Sequence, residues 1–209
     1  MRYINYFMPS HLIFGSLYLL GQKIDEAVRS KRAIHAPYPT ICVGNFQAGG
    51  TGKTPAAMWV AKQLKSLGYS PIILIRGYKG SVAKNTIVDS KDAYAYGDET
   101  VLHAQHFPTI VGKNRLESAQ LALTIDGDKK VLVMDDGLQH YQLLKDFSIV
   151  CQKTTRFELD HMLPIGRLGQ LPHTNSAAVL SKINEVGYQP IESWRCILEY
   201  TFNRETVLI

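Results

Sequence analysis

A glycine-rich segment, Gly49-Gly50-Thr51-Gly52-Lys53-Thr54, contains the residues whose types and spacing point most directly to chemistry. Glycines let backbone N–H groups close on phosphate oxygens, and the start of a helix adds a partial positive charge. Lys53 can reach the outer phosphates of a nucleotide, and the Thr54 hydroxyl can coordinate Mg²⁺. The segment therefore predicts a phosphate-binding loop for ATP and Mg²⁺. The alternative is a plain glycine-rich turn, since Gln47 replaces the first glycine of the strict GxxxxGK[ST] pattern.

Two adjacent carboxylates, Asp135 and Asp136, follow the apolar run VLVM at 131–134. At the carboxyl end of a parallel strand they are expected beside the phosphate loop, where a dication offsets their mutual repulsion. We predict that Asp135 and Thr54 hold Mg²⁺ and that Asp136 acts in catalysis, although either carboxylate could be the ligand. The alternative is that the acids only cap the next turn.

The elements around these residues predict an α/β fold of the P-loop NTPase class. Short apolar runs alternate with helical patterns, which indicates a mostly parallel sheet with helices on both faces. Helices are expected at about 54–67 and 115–123. The predicted strands are at 41–44, 71–75, 109–111, 131–134, 148–150 and 177–180.

An N-terminal amphipathic helix is predicted to precede this core. Ser10 is a candidate N-cap, and Ile13, Leu17, Leu20, Ile24 and Val28 recur at helical spacing. The apolar run at 12–20 is about half as long as a membrane span requires. We expect residues 1–35 to form a membrane-interface helix, with residues 10–29 on the membrane surface, and residues 36–209 to form the kinase core. The alternative is that the apolar stripe packs on the protein's own core or forms a helix-pair contact.

Composition narrows the choice of partners and compartment. The net charge is +5 and the pI about 9.0, which fits an anionic partner, but no long Lys/Arg tract favours nucleic acid. Three widely spaced cysteines, with no CxxC pair, suggest neither a zinc site nor a disulfide framework. A cytoplasmic location is the simplest expectation.

Several motifs, taken together and in order, resemble the tetraacyldisaccharide 4′-kinase (lipid A 4′-kinase) family. They are VGN at 43–45, the phosphate loop through Pro55, RGY at 76–78, GDE at 97–99, DDGLQH at 135–140 and LPIGRL at 163–168. The resemblance runs from about residue 10 to 184. It implies transfer of the ATP γ-phosphate to the 4′-hydroxyl of a tetraacylated glucosamine disaccharide 1-phosphate, on the cytoplasmic face of the inner membrane.

Further residues are candidates for the site, and for Asp98 the resemblance implies the role. Asp98 would be the base or orienting group for the sugar hydroxyl, or simply an N-cap. Arg76 follows the second predicted strand and is expected at the same sheet edge as the phosphate loop, where it could steady a phosphate or the substrate; a surface ion pair is the alternative. His140 would contact the substrate or the Mg²⁺ ligands, unless it is a structural histidine. Arg115 could contact an anion or be a solvated surface arginine. The nucleotide would be held by Gly49, Gly50, Thr51, Gly52, Lys53, Thr54 and Pro55.

Two departures from the family bear on turnover. Gly169-Gln170 replaces a further arginine, and the usual C-terminal lobe, with a histidine that assists the aspartate, is expected to be absent. Two other functions stay open: a nucleotide switch that acts through a protein partner, and a nucleotide-binding remnant without turnover. ATP is favoured over GTP because SKIN at 181–184 departs from the guanine-reading [NT]KxD pattern.

Overall fold

The fold is built on a seven-stranded sheet in the order β3-β4-β2-β5-β1-β6-β7. The computed structural model describes residues 10–45, 52–78, 80–89, 92–152, 178–181, 200–202 and 205–207. Every pairing in the sheet is parallel except that of β3 with β4. The strands are β1 (Thr40–Gly44), β2 (Ser70–Ile75), β3 (Thr86–Ile87), β4 (Thr109–Val111), β5 (Lys130–Asp135), β6 (Phe147–Gln152) and β7 (Ala178–Ser181).

Five α-helices are described: α1 (Ser10–Ser30), α2 (Lys53–Ser66), α3 (Ala93–Tyr96), α4 (Asp98–Ala104) and α5 (Arg115–Leu121). A short 3₁₀ helix, Ala122–Thr124, continues α5. Two more strands, β8 (Tyr200–Phe202) and β9 (Glu205–Val207), form a separate antiparallel pair.

Strand β5 shows why the sheet needs helices on both faces. Its side chains alternate between two buried clusters, with Val131 and Val133 in one and Leu132 and Met134 in the other. Helix α2 packs on the first cluster, and α5 with its 3₁₀ extension packs on the second. Successive residues of a strand point to opposite faces, so a continuous apolar run is stable only when both faces are covered. The predicted α/β fold is confirmed.

The six predicted strands all occur, with ends within one or two residues of the expected positions. Helix α2 matches its prediction closely, whereas the helix expected over 115–123 changes to 3₁₀ geometry after Leu121. Strand β3 and helix α3 were not predicted, because two and four residues are too short to show a periodicity.

Strand β1 lies between β5 and β6, with Val43 in register with Asp135. The chain leaves β1 at Asn45 and is described again from Gly52, at the start of α2. The end of β1 is where strand order reverses, since β2 lies on one side of it and β6 on the other. Ligands of open α/β sheets bind outside the carboxyl ends of the strands at such a point.

Helix α1 has an apolar face that the described part of the protein does not cover. Leu20, Ile24 and Val28 are 56%, 55% and 59% exposed. They recur every fourth residue and therefore share one side of the helix. The described part of the protein leaves these three side chains uncovered. The side chains of Ile13 and Leu17 are not among those described, so the membrane interface and packing on the protein remain alternative predictions for the stripe. Among the described residues no helix has both the length and the apolar character to cross a bilayer.

Candidate active site

The first turn of α2 supplies the part of the phosphate loop that the structure describes. Gly52 precedes the helix with a φ of 83°, in the left-handed region that glycine adopts without strain. Gly52 at the N-cap position has no side chain that could accept from the first N–H groups of the helix. Lys53 and Thr54 are half-buried and Pro55 is exposed. An uncapped helix start with a lysine is suited to an anion. Gly49, Gly50 and Thr51 lie outside the described residues.

Asp135 is the last residue of β5 and is only 1% exposed. Its Oδ2 lies 2.8 Å from Nε2 of His103, whose ring is fully buried. The other carboxylate oxygen, Oδ1, is buried and has no hydrogen-bond partner among the residues that the structure describes. A buried carboxylate oxygen without a donor is costly, which makes it a natural ligand for a cation.

Asp136 is exposed, whereas its neighbour Asp135 is buried. Its side chain is 62% exposed, and its Oδ1 lies 3.6 Å from Nζ of Lys53. Its φ of 58° lies in the left-handed region, which aspartate tolerates better than most residues. Its N–H donates to the carbonyl of Val43 at the end of β1. The second carboxylate therefore stands at the mouth of the site, beside the phosphate-loop lysine.

Arg115 opens α5 and is 3% exposed, so the alternative of a solvated surface arginine is wrong. Its guanidinium donates to the carbonyl of Gly112 at 2.9 Å and to that of Asp135 at 3.2 Å. Burial lowers the pKa of Arg115 to about 10, so it keeps its charge at neutral pH. Arg115 thus joins the ends of β4 and β5.

A polar cavity of about 270 Å³ opens at this edge of the sheet. Arg76, directly after β2, lines it together with Asp136, as the sequence predicted for that sheet edge. Four cationic side chains and two carboxylates face the cavity, which favours an anionic ligand. The lining residues are Gln22, Asp25, Arg29, Arg76, Lys113, Arg115, Asp136, Gln139, His140 and Tyr141. The polar side of α1 therefore forms one wall of the site.

His140 is half-buried in the cavity wall, four residues after Asp136. Burial, followed by the nearby charges of Arg115, Lys145 and Arg29, lowers the pKa of His140 to about 4. The ring is therefore neutral near pH 7. Its Nε2 is buried without a hydrogen-bond partner among the described residues. A neutral imidazole in the cavity wall can contact a ligand there.

Asp98 is the exposed first residue of α4, outside the described set that lines the cavity. Gly97 occupies the N-cap position, so the alternative of Asp98 as N-cap is wrong. Gly97 has a φ of 85°, and a Cβ there would lie 2.5 Å from the carbonyl oxygen of Tyr78. The GDE and RGY motifs are thus packed together, which places Asp98 beside the loop that carries Arg76.

Sequence reasoning missed His103 and undervalued Arg115. Neither lies in a recognised motif, and both act through contacts with Asp135 at separations of 32 and 20 residues. A histidine and an arginine on the inner faces of short helices were the only signals. The LPIGRL segment at 163–168 lies outside the described residues.

The residues present fit a Mg²⁺ ion that arrives with a nucleotide. The described residues contain no cluster of three or more His, Cys, Asp or Glu that could hold a metal alone. Mg²⁺ in nucleotide sites needs only one or two protein ligands, with phosphates and water completing its shell. The buried, unpartnered Oδ1 of Asp135 and the hydroxyl of Thr54 are the groups suited to it.

Comparison with known proteins identifies a family that the sequence matches. The family model described as tetraacyldisaccharide-1-P 4'-kinase matches residues 7–193. The tetraacyldisaccharide 4'-kinase of Nitrosococcus oceani is 36% identical over 179 residues, which cover 80% of this chain and 53% of that protein. The enzyme of the same name from Rhizobium rhizogenes is 38% identical over 152 residues, covering 71% and 42%.

A solved structure shows the same fold. It is LpxK from Aquifex aeolicus in complex with ATP, with a TM-score of 0.68 and 31% sequence identity. The match covers 78% of this chain and 54% of that one. The chain spans about half the length of the curated relatives it matches.

Proposed function

The chain belongs to the tetraacyldisaccharide-1-P 4'-kinase family, and on that premise we propose that it transfers the γ-phosphate of ATP to the 4′-hydroxyl of a tetraacylated glucosamine disaccharide 1-phosphate. This lipid is a precursor of lipid A. The observation that carries the proposal is the meeting of Lys53, Asp135 and Asp136 at the reversal point of a parallel sheet. The family match adds the nature of the acceptor.

The roles of the residues follow from their positions. The start of α2 and Lys53 would hold the phosphates of ATP, and Arg76 would steady the transferred group or the acceptor. Thr54 and Asp135 would bind Mg²⁺, which when bound neutralises charge on the phosphates. Asp98 would accept the proton of the sugar hydroxyl. As it does so, the hydroxyl oxygen bonds to the γ-phosphorus, and the bond from that phosphorus to the oxygen that leaves with ADP breaks. The neutral His140 would contact the acceptor in the cavity.

One assay tests this function against its two alternatives. The full chain is supplied with γ-labelled ATP, Mg²⁺ and the lipid disaccharide 1-phosphate in detergent micelles. Labelled lipid supports the kinase. Free labelled phosphate without labelled lipid would indicate a hydrolysing nucleotide switch, and neither product would indicate a remnant without turnover.

We further propose that α1 attaches the protein to the cytoplasmic face of the inner membrane. Its apolar residues Leu20, Ile24 and Val28 face outward, while Gln22, Asp25 and Arg29 line the cavity. This is the reverse of the usual arrangement, in which the apolar side of a helix faces the core. A bilayer would cover the apolar side while leaving the polar side on the site.

The energetics favour reversible attachment. Burying the rest of three half-exposed aliphatic side chains contributes roughly 1 kcal/mol each. Each nearby cation adds on the order of 1 kcal/mol at an anionic surface. The cations are Lys23, Lys31 and Arg32. Such a helix would hold the enzyme beside a substrate whose acyl chains stay in the membrane.

Flotation with anionic liposomes tests this attachment. Ile24→Gln with Val28→Gln is expected to lower recovery in the liposome fraction several-fold. The control is the double variant Leu67→Gln with Leu123→Gln, which changes two exposed leucines outside α1, at 46% and 55% exposure. This control variant should float like the unmodified chain. Equal recovery of all three proteins would mean that α1 does not attach the chain.

A further inference from the structure

A buried hydrogen-bonded pair, His103 and Asp135, lies behind the candidate site, and the chemistry proposed above does not use its histidine. Nε2 of His103 and Oδ2 of Asp135 are 2.8 Å apart, with side-chain exposures of 0% and 2%. The histidine belongs to α4 and the aspartate to the end of β5. Each side chain therefore uses one polar atom for this hydrogen bond, which leaves Nδ1 of His103 and Oδ1 of Asp135 outside it.

The direction of this hydrogen bond follows from the chemistry of its two groups. A carboxylate that binds a cation is ionised and can only accept, so Nε2 carries the proton and donates it. The imidazole is then neutral with a bare Nδ1, which has no partner among the described residues. An unpaired acceptor is easier to tolerate in a buried site than an unpaired N–H, which supports this tautomer.

The same hydrogen bond decides which carboxylate oxygen remains free. Oδ2 is taken by His103, whereas Oδ1 is buried and unpartnered within the described part of the chain. The carbonyl of Asp135 is held separately by Arg115. Asp135 is thus fixed at its backbone and at one side-chain oxygen, in register with Val43 near the end of β1.

We propose that His103 is a positioning residue for the nucleotide-bound cation. Its Nε2–H holds Oδ2 of Asp135 and thereby presents Oδ1 to the cation that arrives with the nucleotide. This inference rests on the proposed function, because the nucleotide brings the cation. Groups that orient a metal ligand in this way commonly account for about 10–100-fold in metal affinity.

The test measures cation binding without turnover and without lipid. Mn²⁺ replaces Mg²⁺, a non-hydrolysable ATP analogue is present, and free Mn²⁺ is followed by electron paramagnetic resonance. His103→Leu keeps an apolar side chain of similar size but loses the donor, so its Mn²⁺ affinity should fall about 10–100-fold. His103→Gln places an amide N–H near the position of Nε2 and should remain within a few-fold of the unmodified protein.

Two controls separate this role from a purely structural one. His106→Leu alters an exposed histidine just beyond the same helix and should bind Mn²⁺ like the unmodified protein. Thermal melting of each variant reports the fold, and the apparent KM for the lipid should not follow the loss in Mn²⁺ affinity.

Particular outcomes would overturn the inference. One is a folded His103→Leu variant that binds Mn²⁺ as tightly as the unmodified chain. Another, which applies even if the leucine variant does not fold, is a folded His103→Gln variant with the full loss of affinity. If the unmodified chain itself fails to bind Mn²⁺ with the analogue, the proposed function fails and this inference fails with it. Normal Mn²⁺ binding without labelled lipid would reject only the lipid kinase.

Discussion

The two sides of the site are built from the same residue types but have opposite environments. The inner layer, Asp135, His103 and Arg115, is buried, and His103 and Arg115 hydrogen-bond to the side chain and the carbonyl of Asp135. The outer rim, Asp136, Lys53 and Arg76, is half-buried or exposed. Each side has a carboxylate and a cation, and the two carboxylates are neighbours in the chain.

Burial separates these roles because a charge removed from water must be paired or it destabilises the fold. Arg115 accordingly donates hydrogen bonds to two backbone carbonyls, whereas Arg76 is an exposed residue that lines the cavity. Exposed groups lose little by exchanging water for a ligand. The inner layer therefore fixes the ends of the strands and the orientation of Asp135, and the rim is suited to binding and releasing substrates.

The largest effect is expected at the rim, for Lys53→Ala. Loss of a cation that stabilises charge on the transferring phosphoryl group should lower the rate of lipid phosphorylation on the order of 10³-fold. The fold should persist, because the ion pair that Lys53 forms within the described residues is a 3.6 Å contact with an exposed carboxylate. Rates are measured with labelled ATP and folding by circular dichroism. The control is Lys62→Ala, an exposed lysine of the same helix. Undiminished transfer by a folded Lys53→Ala variant would contradict the assignment.

Asp98→Ala tests whether an exposed residue outside the cavity lining belongs to the reaction. We expect kcat to fall about 10²-fold or more, while the Kd for ATP changes little, because a general base acts on the acceptor. Steady-state kinetics with the lipid give kcat, and separate ATP titrations give the Kd for ATP. A parallel collapse of ATP affinity would make Asp98 a nucleotide or Mg²⁺ ligand.

Replacing each arginine by methionine compares the inner layer and the rim directly. Arg115→Met leaves the carbonyls of Gly112 and Asp135 without their donor and should lower the free energy of unfolding by about 2–4 kcal/mol. Arg76→Met should change the free energy of unfolding by less than about 0.5 kcal/mol, while raising the KM for ATP or for the lipid. Urea denaturation at pH 7.5 measures the first quantity. Equal losses for both variants would remove the distinction between the two layers.

The smallest effect is a pH dependence from His140. Its pKa is about 4 in the folded protein, against about 6.5 when unfolded, so the unfolded chain binds the proton first. Its contribution to stability is complete above about pH 6.5 and is lost as the pH falls toward 4. With screening at a half-buried ring, this loss is about 1–2 kcal/mol.

Urea denaturation between pH 7.5 and 4.5 checks this sign. His140→Gln should lose less stability over that interval than the unmodified chain, whereas the exposed His106→Gln should follow the unmodified chain. Identical pH profiles for all three proteins would show that the ring of His140 is not buried as a neutral group.

The features that local sequence could predict are those set by neighbouring residues. Short continuous apolar runs marked the strands, helical spacing marked α1, and the GKT string marked the start of α2. The meeting of Lys53 with Asp136 was also predictable, because parallel strands bring their carboxyl ends to one edge.

Other features depended on packing between distant segments. No local pattern distinguished Asp135 from Asp136, and only the tertiary structure buried one beside His103 and left the other beside Lys53. The same holds for α1, where the helical pattern predicted an apolar face and the fold turned that face outward. Periodicity is a property of one segment and specifies its shape, whereas burial depends on what the remaining segments place against it.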